Sequence, residues 1–189
     1  MNKIQDLRSA IYDQFQGSSA AQKHFFLYEN RDAYAAYYTS MYLIQDTAEA
    51  VHTHIARGFS PDPMLAYIEF WGVMQATDIQ QDAIFQLHKA VIGNTPAIPK
   101  GSAWDNLRDI RHLCAGHPAN RSQGVPAPQR TFMSRSFGNY NHIKYELYDA
   151  QTRATTHPTF DLRQMINDYD TQASNVLGNV LSTMIAKWP

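Results

Sequence analysis

The sequence predicts a mainly α-helical domain, an antiparallel bundle of four to five helices with a small β-hairpin inserted between helices four and five. Apolar residues recur at steps of three and four along several long segments. Glycine, proline or capping residues stand at the ends of those segments. A segment at about 129–150 alternates instead with the period of a strand. The 189 residues, 44% of them hydrophobic, suit a single domain over 1–189 with its own core.

The first two helices are predicted from apolar spacing. A first helix ends at Gly17, because its apolar residues recur every three or four positions (Ile4, Leu7, Ile11 and Phe15). Gly17, Ser18 and Ser19 predict a break. A long helix follows from about residue 29 to residue 57, with Gly58 as its C-terminal cap. Its expected core stripe is Tyr34, Tyr38, Met41, Gln45 and Ala48.

The third helix is predicted over Pro63–Ile92, with Asp62 as N-cap and Pro63 in the first turn. Its expected core stripe is Leu65, Ile68, Gly72, Ala76, Ile79, Ala83, Leu87 and Ala90. Ser102 opens a fourth helix. Because Pro118 disfavours the α conformation at the residue before it, we expect that helix to end near Cys114 or Ala115.

The last third of the chain predicts two further elements. Residues 131–136 and 142–148 alternate in strand fashion around 137–141, which indicates a β-hairpin. A final helix is expected to start near Thr159, which would serve as its N-cap.

Composition excludes several classes of protein. The net charge of −1 gives no overall basic field that would attract nucleic acid. A single cysteine, Cys114, excludes an internal disulfide and is typical of a reducing compartment. The first residues contain acids and no long apolar run, so we expect no secretory signal. No stretch approaches 18 apolar residues, so we expect no membrane span and a cytoplasmic protein.

Charge is unevenly distributed along the chain. The window 108–135 contains one acid, Asp109, and carries +4, whereas the whole chain carries −1. The five arginines of this window are Arg108, Arg111, Arg121, Arg130 and Arg135. Such a patch could hold phosphates, with Arg121, Arg130 and Arg135 as candidates. A solvated, arginine-rich loop is an equally compatible interpretation.

One segment is chemically dense: Arg111-His112-Leu113-Cys114-Ala115-Gly116-His117-Pro118. In an unbroken helix Arg111 and His117 would lie about 120° apart. Once the helix ends, His117 can turn back toward Arg111. An imidazole can transfer a proton near neutral pH, and a guanidinium can bind phosphate. The structural alternative is a histidine that caps the helix and an arginine that pairs with an acid.

Two acids in the third helix are candidate partners for these arginines. Asp78 and Asp82 lie one helical turn apart, with Gln75 on the same stripe. A buried aspartate needs a cation, and Arg108 or Arg111 could supply it. The functional interpretation has Asp82 orienting Arg111. The structural interpretation, an ion pair that joins two helices, is favoured.

The spacing of Arg111 and His117 resembles the R-x(4–6)-H motif of the HEPN superfamily of helical-bundle domains. The stretch Gln75-Ala76-Thr77-Asp78-Ile79-Gln80-Gln81-Asp82-Ala83 is similar to the QA…QQDA stretch of some bacterial members. Leu107-Arg108-Asp109-Ile110-Arg111 and Gly116-His117-Pro118 resemble their LR-x-IR and GHP positions. The likeness covers roughly residues 65–160. The motif is short, and the ordered combination is more specific than the motif alone.

The resemblance implies a HEPN-like bundle and a metal-independent endoribonuclease without a cofactor, often a toxin or phage-defence effector. It implies a homodimer that acts on RNA, with an antitoxin as a further expected partner. His117 would be the general acid or base, and Arg111 would stabilise the charged transition state. His112 occupies a position where asparagine is frequent. Other members only bind a nucleotide, nucleic acid or protein, which is the alternative function.

Three weaker hypotheses remain. His112, Cys114 and His117 could hold a metal, although zinc sites usually supply two separated pairs. Cys114 could be a nucleophile, but its position fits the inward face of its helix. The remaining candidates for RNA contact are Tyr34, Tyr37, Tyr38 and Tyr42, which fit a core or dimer interface better, and Arg135, Lys144 and Tyr145 on the hairpin.

Overall fold

A computed structural model describes residues 3–189. This part of the chain is mainly helical, as the sequence predicts. Its six α-helices are α1 (Lys3–Gly17), α2 (Ser19–Phe26), α3 (Arg31–Arg57), α4 (Pro63–Ile92), α5 (Ala103–Arg111) and α6 (Leu162–Lys187). Its six strands are β1 (Gln129–Phe132), β2 (Gly138–Asn139), β3 (His142–Lys144), β4 (Glu146–Asp149), β5 (Ala154–Thr156) and β6 (Thr159–Phe160).

The core lies between the long helices. Helix α3 packs along α4, and α6 packs against α1, α4 and α5. Trp104 of α5 joins three of these helices: its ring stacks on Phe85 of α4 at 5.1 Å and meets Tyr169 of α6 edge-on at 5.2 Å. Trp104 and Tyr169 are both fully buried. No helix among residues 3–189 combines the length and the apolarity that crossing a membrane requires.

Several predicted helix ends are confirmed. Helix α1 ends at Gly17, and Gly58, with φ of 83°, follows the last residue of α3. The Asp62 carboxylate accepts hydrogen bonds from the backbone N–H groups of Met64 and Leu65 at 2.8 and 3.1 Å. Each of these signals acts within one helical turn, which is why the sequence reveals them.

The break predicted at residues 17–19 is confined to Ser18, and the helix that follows it, α2, was not predicted. Ser18 caps α2 by accepting a hydrogen bond from the Ala21 N–H at 3.1 Å, and a 3-10 turn at Tyr28–Asn30 leads into α3. The ring of Phe25 is fully buried, 5.2 Å from that of Tyr37. A helix of eight residues is not stable alone. Its packing against α3 stabilises it, and this contact is not visible in the local pattern.

The predicted core stripe of α4 is wrong in its N-terminal half. Leu65 is 53% exposed and Ile68 is 61% exposed, whereas the neighbouring Phe70 is fully buried. Helix α4 carries two apolar stripes in this half, and only one can face the core. In its C-terminal half the predicted Leu87 is buried. The stripe predicted for α3 contains a similar error, since Tyr38 is 50% exposed.

Residues 129–160 form two three-stranded antiparallel sheets, ordered β1-β4-β5 and β2-β3-β6, where the sequence predicted one hairpin. The chain reverses between β2 and β3, within the predicted turn. Residues 133–136, predicted as the end of the first strand, are not paired as a strand, and Met133 is buried in the core, as is Phe137 of the predicted turn. Gly138, with φ of 114°, passes too close to the His142 carbonyl to accommodate a side chain.

Helix α6 begins later than predicted. Thr159 pairs with Lys144 in the β6–β3 ladder and is not a cap. The N-cap is Asp161, whose carboxylate accepts a hydrogen bond from the Gln164 N–H at 2.8 Å. The strand pairing extends the backbone up to Phe160, so the helix starts only after it.

Candidate functional site

The α conformation of α5 ends at Arg111, three or four residues before the predicted end. A π turn at His112–Gly116 follows, in which the His117 N–H donates to the His112 carbonyl at 2.8 Å. His117 leaves the turn with φ of −135° and ψ of 48°, outside the α region that Pro118 disfavours. Single π turns are frequent at functional sites, and this one lies within the chemically dense segment, between Arg111 and His117.

Helix α4 holds the Arg111 side chain from two successive turns. The Arg111 Nε lies 3.4 Å from Asp78 Oδ2, and Arg111 Nη2 donates to Gln75 Oε1 at 2.8 Å. The Arg111 side chain is 19% exposed and that of Asp78 is 11% exposed. Their charges are therefore screened less than at an open surface. The guanidinium has a fixed orientation with one edge left toward the π turn.

Asp78 lies between two arginines. Its Oδ1 is 3.3 Å from the Nε of Arg108, while its Oδ2 faces Arg111. Arg108 also bonds through Nη2 to Asp82, whose side chain is 59% exposed. The expectation that Asp82 orients Arg111 is therefore wrong: Asp78 and Gln75 do so, and Asp82 pairs with Arg108. These contacts form the ion pair between helices that the sequence favoured.

Gly116 closes the π turn over the Arg111 guanidinium. A Cβ atom at Gly116 would lie 2.9 Å from Arg111 Nη1 and 3.4 Å from its Cζ. Real Cβ atoms essentially never approach a neighbour so closely, so a side chain at position 116 would force the guanidinium or the turn to shift. The next residue, His117, is exposed. An exposed imidazole thus leaves the turn one residue after the backbone touches the guanidinium.

His112 flanks this arrangement. Its ring centroid lies 6.2 Å from that of His117, with the two planes inclined by 51°. Burial, and next the positive charge of Arg111, lower the pKa of His112 below the ordinary value for histidine. His112 is therefore neutral at pH 7 and adds a polar group beside His117 without adding charge.

Strand β1 fixes the far side of the turn. The Thr131 N–H donates to the Pro118 carbonyl at 2.8 Å, and the Thr131 hydroxyl donates to the carbonyl of Leu113 inside the π turn. Thr131 was not among the site residues predicted from the sequence. Its only signal was its place in a predicted strand, because the partner carbonyls lie 13 and 18 residues earlier in the chain.

Cys114 belongs to the core. It is 2% exposed, and burial raises the pKa of its thiol to about 12, so the thiol is protonated at neutral pH. A metal ligand or nucleophile needs the thiolate. Among residues 3–189, no group of three or more histidine, cysteine, aspartate or glutamate side chains is placed to hold a metal ion.

The basic window divides into two parts. Arg121 lies 3.0 Å from Asp109 with its side chain only 14% exposed, so, like Arg108 and Arg111, it is ion-paired. Arg130 and Arg135 are exposed, and the Arg130 guanidinium lies 5.9 Å from the ring centroid of Tyr148. Only these last two of the predicted phosphate-binding arginines project into solvent.

Among the tyrosines predicted as candidates for RNA contact, some are buried and others are exposed. Tyr37 and Tyr145 are buried, whereas Tyr38 and Tyr42 are each 50% exposed, with their ring centroids 4.9 Å apart. Tyr145 therefore packs in the core, and Lys144 beside it is exposed.

Comparison of the chain with protein-family models, with curated proteins and with solved structures finds no match. What the site can do follows from its own side chains. It presents a guanidinium held at two positions by α4 and an exposed imidazole on the turn that closes over it. Together they offer a fixed positive charge and an imidazole that can accept or donate a proton.

Proposed function

We propose that this protein is a metal-independent endoribonuclease of HEPN type in which Arg111 and His117 act on the RNA backbone. One observation carries the proposal: a Cβ atom at Gly116 would lie only 2.9 Å from Arg111 Nη1. The turn that presents His117 is thereby built against a guanidinium that Asp78 and Gln75 already orient.

The reaction uses both side chains on one phosphodiester. His117 accepts the proton of the RNA 2′-OH while the 2′-oxygen attacks the adjacent phosphorus. The bond from phosphorus to the 5′-oxygen breaks, that oxygen takes up a proton, and a 2′,3′-cyclic phosphate forms. Arg111 stabilises the negative charge that develops on the phosphate oxygens. A role in toxin–antitoxin or phage-defence systems rests on the family resemblance alone.

A homodimer is the assembly that the surface of α4 supports. Met64, Ile68 and Trp71 are exposed by 53%, 61% and 43% and lie on one stripe of the helix. The same stripe continues one turn further to Gln75, which binds Arg111. A contiguous apolar surface of this kind is typical of an interface. A two-fold contact through it would bring the two Arg111 sites toward each other.

A catalytically inactive module that binds a nucleotide, nucleic acid or protein partner is the second candidate. One observation favours it: Arg111 already has partners at Nε and Nη2, and only 19% of its side chain is exposed. A guanidinium so engaged also serves as a bond between α4 and α5, with no reaction required.

Cleavage of RNA in the presence of EDTA separates the two functions. We expect the unmodified protein to cleave, and His117→Ala to reduce the rate at least about 100-fold, the usual contribution of a general acid or base. His142→Ala is the matched control, because His142 is exposed on β3. Arg111→Lys tests the guanidinium while keeping a positive charge near Asp78.

Circular dichroism checks that each variant is folded. If the unmodified protein binds RNA or a nucleotide but cleaves none, the inactive module is the correct reading. If His117→Ala and His142→Ala are equally active, His117 is not the catalytic group.

A further inference from the structure

A separate cavity of about 170 Å³ lies between α1, α3, α4 and α6. Ile4, Val51 and Ile166 give part of its wall an apolar character, and Asp170 of α6 gives it a carboxylate. None of the residues around Arg111 and His117 lines it. The cavity is therefore distinct from the site proposed for RNA cleavage.

Two residues that line the cavity carry a polar group with no partner among residues 3–189. The Tyr169 side chain is fully buried, yet its hydroxyl forms no hydrogen bond. Asp170 is half-buried, and no hydrogen bond or ion pair joins its carboxylate to the rest of the described chain. Burying a polar group without a partner costs free energy, and burying an unpaired charge costs more.

Arg163 is the cation on the cavity wall, and it is engaged elsewhere. Its Nε donates to Asn141 Oδ1 at 3.0 Å, and its Nη2 donates to the Ile55 carbonyl at 3.3 Å. These bonds tie α6 to α3 and to the β2–β3 turn. These bonds engage the guanidinium, and none of the residues from 3 to 189 forms an ion pair with the Asp170 carboxylate.

The pKa of Asp170 reflects the burial of its carboxylate. Burial raises the pKa of Asp170 to about 6, so the carboxylate is still ionised at pH 7 and above. The other titratable groups that line the cavity are His52 on α3 and Arg163 and Tyr169 on α6. Helices α1 and α4 contribute no titratable side chain to the wall.

We propose that this cavity binds a small organic cation, whose ammonium or amidinium head pairs with Asp170. The hydrocarbon part of such a ligand lies against Ile4, Val51 and Ile166. A cation supplies the compensating charge that water lacks. The volume of 170 Å³ is close to the roughly 150 Å³ of a cavity that accommodates benzene, so a ligand of about that size fits.

Benzamidine and its neutral isostere benzamide test the proposal directly. We expect isothermal titration calorimetry at pH 8 to show that benzamidinium binds and benzamide does not. Asp170→Asn should weaken benzamidinium binding at least tenfold. Asp168→Asn is the matched control, because Asp168 is an exposed carboxylate on the same helix, and it should leave the affinity unchanged.

The pH dependence gives a second readout. With a pKa of about 6, Asp170 is roughly one-tenth ionised at pH 5, so the affinity should fall about tenfold between pH 8 and pH 5.

Three results would overturn the proposal. One is equal binding of benzamidinium and benzamide, and another is unchanged affinity in a folded Asp170→Asn variant. The third is no binding of either benzamidinium or n-butylammonium at millimolar concentration, which would leave ordered water as the occupant. The RNA-cleavage assay is independent of all three, because no residue of the Arg111 site lines this cavity.

Discussion

The Arg111 guanidinium occupies the space that a side chain at position 116 would need. A Cβ atom there would lie 2.9 Å from Arg111 Nη1, and the guanidinium cannot simply move aside, because Asp78 and Gln75 hold its other edge. The path of the π turn and the orientation of the guanidinium therefore depend on each other.

Gly116→Ala should displace the Arg111 guanidinium and weaken its bonds to α4. We expect the rate of RNA cleavage to fall at least tenfold while the protein stays folded, with a loss of stability of about 1–2 kcal/mol. Gly178→Ala in α6 is the control, since a Cβ there meets no atom within 4 Å. It should keep full activity and gain up to about 1 kcal/mol. Equal activity of the two variants would contradict the coupling.

Asp78 and Asp82 should differ in their contribution to stability. Asp78→Asn removes the charge that both Arg108 and Arg111 face, at a side chain only 11% exposed. We expect a loss of about 2 kcal/mol in the free energy of unfolding, below the range for fully buried pairs because the arginines are partly exposed. Asp82→Asn, at a side chain 59% exposed, should cost under about 1 kcal/mol. Urea denaturation measures both, and equal losses would contradict the difference.

Asp170 should make the free energy of unfolding fall as pH rises. Its folded-state pKa of about 6 lies above the unfolded value near 3.8, so the folded protein binds the extra proton between those values. The contribution of Asp170 to the free energy of unfolding is highest below pH 4. That contribution is lost as pH rises through about 6. The loss is on the order of 2 kcal/mol after allowance for partial exposure.

Asp170→Asn should remove that part of the pH dependence and stabilise the protein at pH 8. Urea denaturation of both proteins at pH 4.5 and pH 8 gives the difference. Parallel pH profiles for the variant and the unmodified protein would show that the carboxylate is solvated or paired in solution.

Tyr140 joins the sheets to the helices through a histidine. Its hydroxyl lies 2.6 Å from His54 Nδ1, and His54 Nε2 lies 3.4 Å from Glu69 of α4. Tyr140→Phe leaves a buried imidazole nitrogen without its partner, so we expect a loss of about 1–2 kcal/mol. Tyr28→Phe, at a side chain 78% exposed, should change stability by less than about 0.5 kcal/mol. Similar losses in the two variants would contradict this role of the hydroxyl.

The sequence predicted the mainly helical fold and the two residues of the candidate site, but not the geometry around them. The positions of Arg111, His117 and Gly116 within eight consecutive residues identified the segment. The favoured ion pair between the two helices is present, but the interpretation in which Asp82 orients Arg111 is wrong. Asp78 and Asp82 lie on one stripe of α4, and the pattern cannot distinguish them. The depth at which α5 packs on α4 decides that Asp78 meets both arginines.

By itself the sequence determined the helix ends at Gly17, Gly58 and Asp62 and the interruption of α5 before Pro118. Each of these depends on backbone conformations and hydrogen bonds within about one turn. Tertiary structure alone decided that α2 forms, that Leu65 and Ile68 face outward, and that Thr131 fixes the π turn. These outcomes depend on contacts between segments far apart in the chain, and the apolar surface available on those segments exceeds what one core can bury.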